Sequence, residues 1–284
     1  DLLPGLVVDR YDTVVVFQIT TVGIERHRPT IVAALASLPG VECVHERSDG
    51  DSRTREGLVE RIGVASGALP RIVRAMENDL HYLVDVEHGH KTGFYIDQRD
   101  GRRALARLAE GRRILNVFGY TGSFSVVAAR HGATSITTID SSGPALALAR
   151  RNAEANGVDI GDLVEGDAFS ELRRLRDRRA EYDVIVLDPP KLAASTAHVD
   201  RAARAYKDLN LLAAKLLAPD GYLLTWSCSG AVTAELFQKI VAGAALDARR
   251  NLTIVERLGQ PEDHPIPLNF PEAEYLKGLV LRAD

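Results

Sequence analysis

The chain has 284 residues, 45% apolar and 26% charged, with a formal net charge of −4. That length holds one large or two modest domains with a buried core, and the charge excludes a uniformly basic nucleic-acid-binding surface while leaving a local one open. No apolar run exceeds strand length, which excludes a signal peptide or spanning helix, and two cysteines cannot build a disulfide framework, so a soluble cytoplasmic protein with no membrane partner is expected.

In chain order, residues 1–95 read as a separate small α+β domain. Val14–Ile19 is a β-rich strand, Ile24–Leu38 a helix stopped by Pro39-Gly40, and Val41–His45 a second strand. The polar stretch Arg47–Gly57 is expected to be loop. Arg71–Glu77 and Leu80–Val86 flank Asn78-Asp79, a two-residue hairpin turn, and their alternating apolar positions suit a half-buried sheet. Nothing here looks catalytic, and Cys43 reads as a packing cysteine within a strand.

Residues 96–284 form the second expected domain. Its entrance, 88–100, is a polar and aromatic connector into a helix over Arg102–Ala109, and its composition suits either a lid over a ligand or a solvated hairpin. From residue 112, strands at 113–118, 135–140, 162–166, 183–188, 221–227, 252–258 and 275–282 alternate with helices at 123–131, 143–156, 168–178, 198–217 and 231–247. The alternation predicts a Rossmann-like α/β fold whose mostly parallel sheet is covered on both faces. The last two strands leave no room for a crossover helix, and the run between them carries four prolines, so the closing strand is expected to be antiparallel. Arginines crowd residues 99–113 and 173–179, either as solvated helix faces or as a local basic surface.

The first of these strands runs into Asn116-Val117-Phe118-Gly119-Tyr120-Thr121-Gly122, a tight turn opening a helix, which brings backbone N–H groups close to a ligand. Alone such a turn can be a mere connection. The next strand, however, ends in Asp140, where a carboxylate can take both hydroxyls of a ribose, so the pair reads as a nucleoside-cofactor site. Only two glycines are present, with bulky Phe118 and Tyr120 around the first, which disfavours a pyrophosphate and favours S-adenosylmethionine.

Later strands also end in polar groups: Asp167, Asp188 and Ser227-Cys228-Ser229. Ligands in such sheets bind at the carboxyl ends of the strands, so a shared site is expected, although Asp167 taken alone is also a natural helix cap. Asp188-Pro189-Pro190-Lys191 offers carbonyls without N–H donors, suited to an amino group on a flat base. Enzymes that methylate an exocyclic amine typically place an aromatic residue after Pro-Pro; Lys191 counts against that chemistry. Cys228 is either a small residue at a turn or a thiolate favoured by a following helix N-terminus. Carbon 5 of a pyrimidine becomes nucleophilic only after a thiolate adds to carbon 6, and a cysteine facing a methyl donor meets that need.

These motifs, with Lys91–Arg99, Tyr206-Lys207-Asp208 and Tyr275-Leu276-Lys277-Gly278, resemble the bacterial 23S ribosomal RNA cytosine-5 methyltransferases of the class I S-adenosylmethionine-dependent type, across essentially the whole chain. The resemblance implies that residues 116–122 hold the methionine part of the cofactor, Asp140 the ribose and Asp167 with Ala168 the adenine, with Ser141 among the cofactor contacts. It implies a hairpin carrying Gln98 and Arg99 beside the cofactor, Cys228 as nucleophile, and Asp188 in base binding, cofactor contact or proton handling. Pro189, Pro190, Lys191 and Lys207 would contact substrate, and no metal is called for. The implied partner is 23S ribosomal RNA, with a homodimer left open. Family members usually carry a small RNA-binding PUA domain ahead of this part; the chain opens at Asp1 and has Met76 as its one methionine, so it is read as a fragment whose upstream part is missing, with the PUA domain left open. Many RNA cytosine-5 enzymes use a second cysteine after the fourth-strand proline; here Lys191, Asp188 or water would remove the carbon 5 proton.

Competing readings are guanine or amine methylation with a structural Cys228, a non-catalytic RNA-binding assembly factor, and a dehydrogenase.

Overall fold

The computed structural model describes residues 3–193 and 195–284. The chain divides into two compact units, Asp1–Tyr95 and Ile96–Asp284.

The first unit runs β1 (Leu6–Tyr11), β2 (Val14–Ile19), α1 (Val22–Glu25), α2 (Arg28–Ala36), β3 (Cys43–Ser48), α3 (Asp51–Arg55), β4 (Arg61–Gly67), β5 (Val73–Glu77) and β6 (Leu80–Val84). Strands β1-β2-β3-β4 make one sheet, and β5-β6 a separate hairpin. Asn78 and Asp79, both at positive φ (49° and 65°), close that hairpin as expected, since a left-handed pair matches the strand twist. The expected 24–38 helix is two helices, because Pro29 cannot sit in a helix interior but fits the first turn of α2. The expected 47–57 loop contains α3, held by the buried Arg53, which donates to Ile19 O at 3.0 Å and pairs with Glu25. Edge strands β1 and β4 bracket the sheet; their mixed exposure and the glycines of β4 hide them from a periodicity reading. The connector belongs in part to this unit: Thr92 is buried and donates to Asp9 Oδ2 at 2.5 Å, beside Tyr11 Oη at 2.7 Å.

The second unit opens with a 3-10 turn, Ile96–Gln98, and α4 (Arg99–Ala106). Then follow β7 (Arg113–Val117), α5 (Ser123–Arg130), β8 (Ser135–Asp140), α6 (Gly143–Ala155), β9 (Asp162–Glu165), α7 (Ala168–Asp177), β10 (Tyr182–Leu187), α8 (Val199–Leu216), β11 (Leu217–Ser227), α9 (Ala234–Ala248), β12 (Leu252–Leu258) and β13 (Lys277–Ala283). The seven strands lie in the order β12-β13-β11-β10-β7-β8-β9, with β7 to β11 parallel and β13 antiparallel to both neighbours. Strand β10 is fully apolar from Val184 to Leu187 because both faces are covered. One face packs on Leu172, Tyr206, Leu209 and Phe237 from α7 to α9, and the other on Leu105 and Phe124 from α4 and α5. Chain order 7-8-9 in one direction and 7-10-11 in the other puts a switch point beside β7, where such sheets bind ligands.

One implied element is corrected. Gln98 and Arg99 do not lie on a hairpin: Gln98 ends the 3-10 turn and Arg99 begins α4. No helix among the described residues is long and apolar enough to cross a membrane.

Candidate active site

The carboxyl ends of the parallel strands bring the candidate residues onto one rim. In spatial order they are Ser227-Cys228-Ser229 after β11, Asp188 after β10, the 116–122 turn at β7, Asp140 at β8 and Asp167 after β9.

The turn is locally strained and braced. Phe118 (φ 62°), Tyr120 (φ 47°) and Gly122 (φ 75°) are left-handed, a conformation that costs non-glycine residues energy and clusters at functional sites. The buried Asn116 Nδ2 donates to Ser125 Oγ at 2.9 Å, and Ser125 Oγ lies 2.7 Å from Thr138 Oγ1. Asn152 Nδ2 on α6 donates to Thr121 O at 2.9 Å. Gly119 and Gly122 are dictated by packing, since a Cβ there would lie 2.3 Å from Thr138 Cγ2 and 2.7 Å from Ala149 Cβ. Asp140 completes the bracing: its Oδ2 accepts from Tyr120 N at 2.7 Å and its Oδ1 from Ser142 N at 2.9 Å. Each carboxylate oxygen has a second lone pair, so these bonds orient Asp140 and still leave it able to accept from ribose hydroxyls. Ser141, beside it, is exposed.

Gln98 is buried, and its Oε1, like Asn116 Oδ1, has no hydrogen-bond partner among the described residues. Gly101 shows what surrounds Gln98: a Cβ there would lie 2.8 Å from Gln98 Oε1, 2.7 Å from Trp226 Cζ2 and 3.2 Å from Phe124 Cζ. Both aromatics belong to the rim, at the end of β11 and the start of α5. Unpaired buried acceptors are costly, so two of them beside the turn fit a ligand that carries an ammonium group. Arg99 is instead engaged with the Asp263 carboxylate. Burial raises the Asp263 pKa, but His264 and Arg99 outweigh it and hold the carboxyl below its usual value.

Asp167 is the N-cap of α7, its Oδ1 accepting from Ser170 N and Ser170 Oγ, each at 2.9 Å. Ala168 follows as the buried first residue of that helix, whose leading N–H groups lack intrahelical acceptors.

At the other end, the thiol region is tied to the proline loop. Cys228 is half-buried, its Sγ 3.9 Å from Pro189 O, and Ala193 N donates to Ser229 Oγ at 3.1 Å. Asp188 is half-buried, Pro189 buried, and Pro190 and Lys191 exposed. The Tyr206 hydroxyl accepts from Ser227 Oγ at 3.0 Å and lies 3.1 Å from Ser229 Oγ; burial pushes its pKa up. The expectation of a helix directly after Cys228 is corrected, because α9 starts at Ala234 with Thr233 as its cap. A helix dipole acts within its first turn and does not account for a thiolate there.

Lys207 is not brought to this cluster. Its Nζ pairs at 2.8 Å with Asp247, in the last turn of α9, roughly 20 Å along the helix from its rim end at 1.5 Å per residue. The arginine clusters are largely committed as well: Arg103 pairs with Asp100, Arg107 with Glu256, Arg113 with Asp183, Arg173 with Asp208 and Arg174 with Glu171.

Sequence reasoning assigned no role to Lys277, Tyr206 or Asn152. A lysine leading directly into the apolar run Leu279–Leu281 of the closing strand is the available signal for Lys277.

The family model of S-adenosylmethionine-dependent methyltransferases matches residues 63–282. The ribosomal RNA large subunit methyltransferase I of Aeromonas hydrophila is 50% identical over 287 residues, spanning 100% of this chain and 72% of that protein. A Streptococcus mutans protein described as a SAM-dependent methyltransferase superposes with a TM-score of 0.85 at 26% identity, over 98% of this chain and 71% of its own. A second methyltransferase structure, complexed with SAH, matches with the same TM-score, identity and coverage.

Proposed function

Because the chain belongs to the family of S-adenosylmethionine-dependent methyltransferases, we propose that it methylates carbon 5 of a cytosine in 23S ribosomal RNA through a covalent adduct with Cys228. The substrate class rests on the relatives at about 50% identity, which are named for the large-subunit ribosomal RNA. The bond chemistry rests on one observation: a half-buried cysteine on the cofactor rim, next to the Asp-Pro-Pro loop.

Bound S-adenosylmethionine supplies an electrophilic sulfonium methyl. Residues 116–122, Gln98 and the oriented carboxylate of Asp140 hold that cofactor, with Ser141, Asp167 and Ala168 toward its nucleoside end. The Cys228 thiolate adds to carbon 6 of the cytosine, which places a nucleophilic electron pair on carbon 5. After carbon 5 takes the methyl, a base removes its proton, the carbon 5–carbon 6 double bond re-forms and the thiolate leaves. Asp188 and Lys191, on the loop facing Cys228, are the side chains placed to handle that proton or the base. Pro189 and Pro190 present carbonyls to the exocyclic amine. Lys207 is not retained as a substrate contact, because Asp247 holds it elsewhere. Arg99, engaged by Asp263, would frame the cofactor pocket rather than touch its charge. The first unit, residues 1–95, would contribute RNA contact.

The test is Cys228→Ala, assayed with tritiated cofactor on unmodified large-subunit RNA, with mass spectrometry of the nucleosides. The reading predicts 5-methylcytidine from the parent protein and at least a ~10³-fold loss in the variant, the scale on which removing a nucleophile acts. Retained turnover, or a methylated amine in the digest, would exclude it.

A further inference from the structure

The closing strand places a buried cation against the turn that carries the proposed nucleophile. Lys277 pairs across β11–β13 with Ser227, the residue before Cys228. Its side chain is only 7% exposed, yet no carboxylate pairs with it among the described ion pairs. Its Nζ donates to the carbonyl of Ser229, the residue after Cys228, at 2.8 Å. That carbonyl also accepts from Val232 N at 3.0 Å, so the ammonium is locked into the turn that carries the thiol.

A buried lysine without a counter-ion is costly, and the ordinary response is deprotonation. Burial does push the Lys277 pKa down, and Lys191 pushes the same way, while Cys228 and Glu274 pull it back up. The charge of Cys228 is therefore felt at Lys277, and by reciprocity the charge of Lys277 is felt at Cys228. Among the described residues, Lys277 is a buried cation bonded to the turn that carries the thiol. Tyr206, on α8, is a neutral hydroxyl whose pKa is raised, and Pro189 presents a carbonyl that favours the protonated thiol. Asp188 adds a carboxylate on the same loop, and Lys191 is an exposed, solvated ammonium.

We propose that Lys277 is the positioning residue whose ammonium holds Cys228 as a thiolate, in place of the helix N-terminus that lies too far along the chain. The role deepens the cytosine-5 reading and rests on it, but the pairing can be measured without any methyl transfer. A thiolate formed this way leaves the substrate step balanced: the sulfur brings its own electron pair to carbon 6 and recovers it on departure, and the ammonium keeps its protons.

The experiment is the pH dependence of iodoacetamide alkylation in the full chain, with peptide mass spectrometry separating Cys228 from the buried Cys43. An unperturbed thiol titrates near ~8.5, and a nearby opposite charge lowers that by about 1 unit or more. The parent protein should titrate below ~8.5 by that amount. Lys277→Met should bring the midpoint back to ~8.5 or above, and Lys277→Arg, which keeps the charge, should stay low. Thermal melts identify any variant that fails to fold; if Lys277→Met does, the parent and Lys277→Arg midpoints decide. A parent midpoint at ~8.5 or higher, or a folded Lys277→Met with the parent midpoint, overturns the proposal. Neither outcome depends on whether Cys228→Ala is active, so the pairing and the cytosine-5 reading fail separately.

Discussion

The backbone N–H of Tyr120 donates to Asp140 Oδ2 at 2.7 Å, joining the turn after β7 to the end of β8. Tyr120 is left-handed, which aims its N–H at the neighbouring strand, and Asp140 answers with a carboxylate that a second N–H, from Ser142, also holds. One side chain thus fixes the shape of the turn proposed to hold the cofactor, and the same bonds orient its own carboxylate.

Asp140→Ala should therefore lose both functions at once. Hydrogen bonds to a charged acceptor contribute about 1.5–3 kcal/mol each, and about 1.4 kcal/mol is a tenfold change in affinity. Calorimetry with S-adenosylmethionine should show a Kd raised by roughly 10-fold or more. An unchanged Kd would mean that Asp140 only braces the loop.

Gly122→Ala tests the packing of the same turn. A Cβ at Gly122 meets φ +75° and lies 2.7 Å from Ala149 Cβ, whereas Gly157, at φ +63°, has nothing within 4 Å. Gly157→Ala should cost only the conformational penalty of about 1–2 kcal/mol, and Gly122→Ala more, because α6 must also shift. Denaturant unfolding of both variants checks the order; equal losses would contradict it.

His45 supplies a pH dependence in the first unit. It is 1% exposed in β3, and neither ring nitrogen has a hydrogen-bond partner among the described residues. Burial lowers its pKa, with Arg47 acting in the same direction and Glu87 and Glu46 against it. A depressed histidine pKa means that the unfolded chain takes a proton first as pH falls below ~6.5. Its contribution to stability is complete above ~6.5 and is lost as pH drops toward the lower folded value, by up to about 1.4 kcal/mol per pH unit. Urea unfolding between pH 7.5 and 5.5 should show a steeper loss for the parent than for His45→Leu. Parallel slopes would refute the assignment.

Much of the second unit was legible in sequence because alternating buried strands and capped helices print a clear period. The strand ending at Leu187, the cap Asp167 and the antiparallel closing strand are instances. The rim followed from the same period, since residues ending parallel strands must share an edge. What sequence hid was set by tertiary contact. Arg53 turns a polar stretch into α3 by bonds to Ile19 and Glu25, neither of them nearby in the chain. Lys207 sits next to Tyr206 in one motif, yet helix geometry sends the tyrosine to Ser227 and the lysine to Asp247. Lys277 lies 49 positions beyond Cys228, and only the β11–β13 register brings it opposite Ser227, the residue before that cysteine.

The central claim is a covalent bond between Cys228 and cytosine, and it is tested most directly with RNA carrying 5-fluorocytidine. Fluorine at carbon 5 cannot leave as a proton does, so the adduct formed after methyl transfer should persist. With S-adenosylmethionine present, a denaturing gel should show an RNA-linked band for the parent chain and none for Cys228→Ser, with the link mapping to Cys228 by mass spectrometry. Turnover on ordinary RNA with no trapped band on the fluorinated substrate, or a band that survives Cys228→Ser, would contradict it.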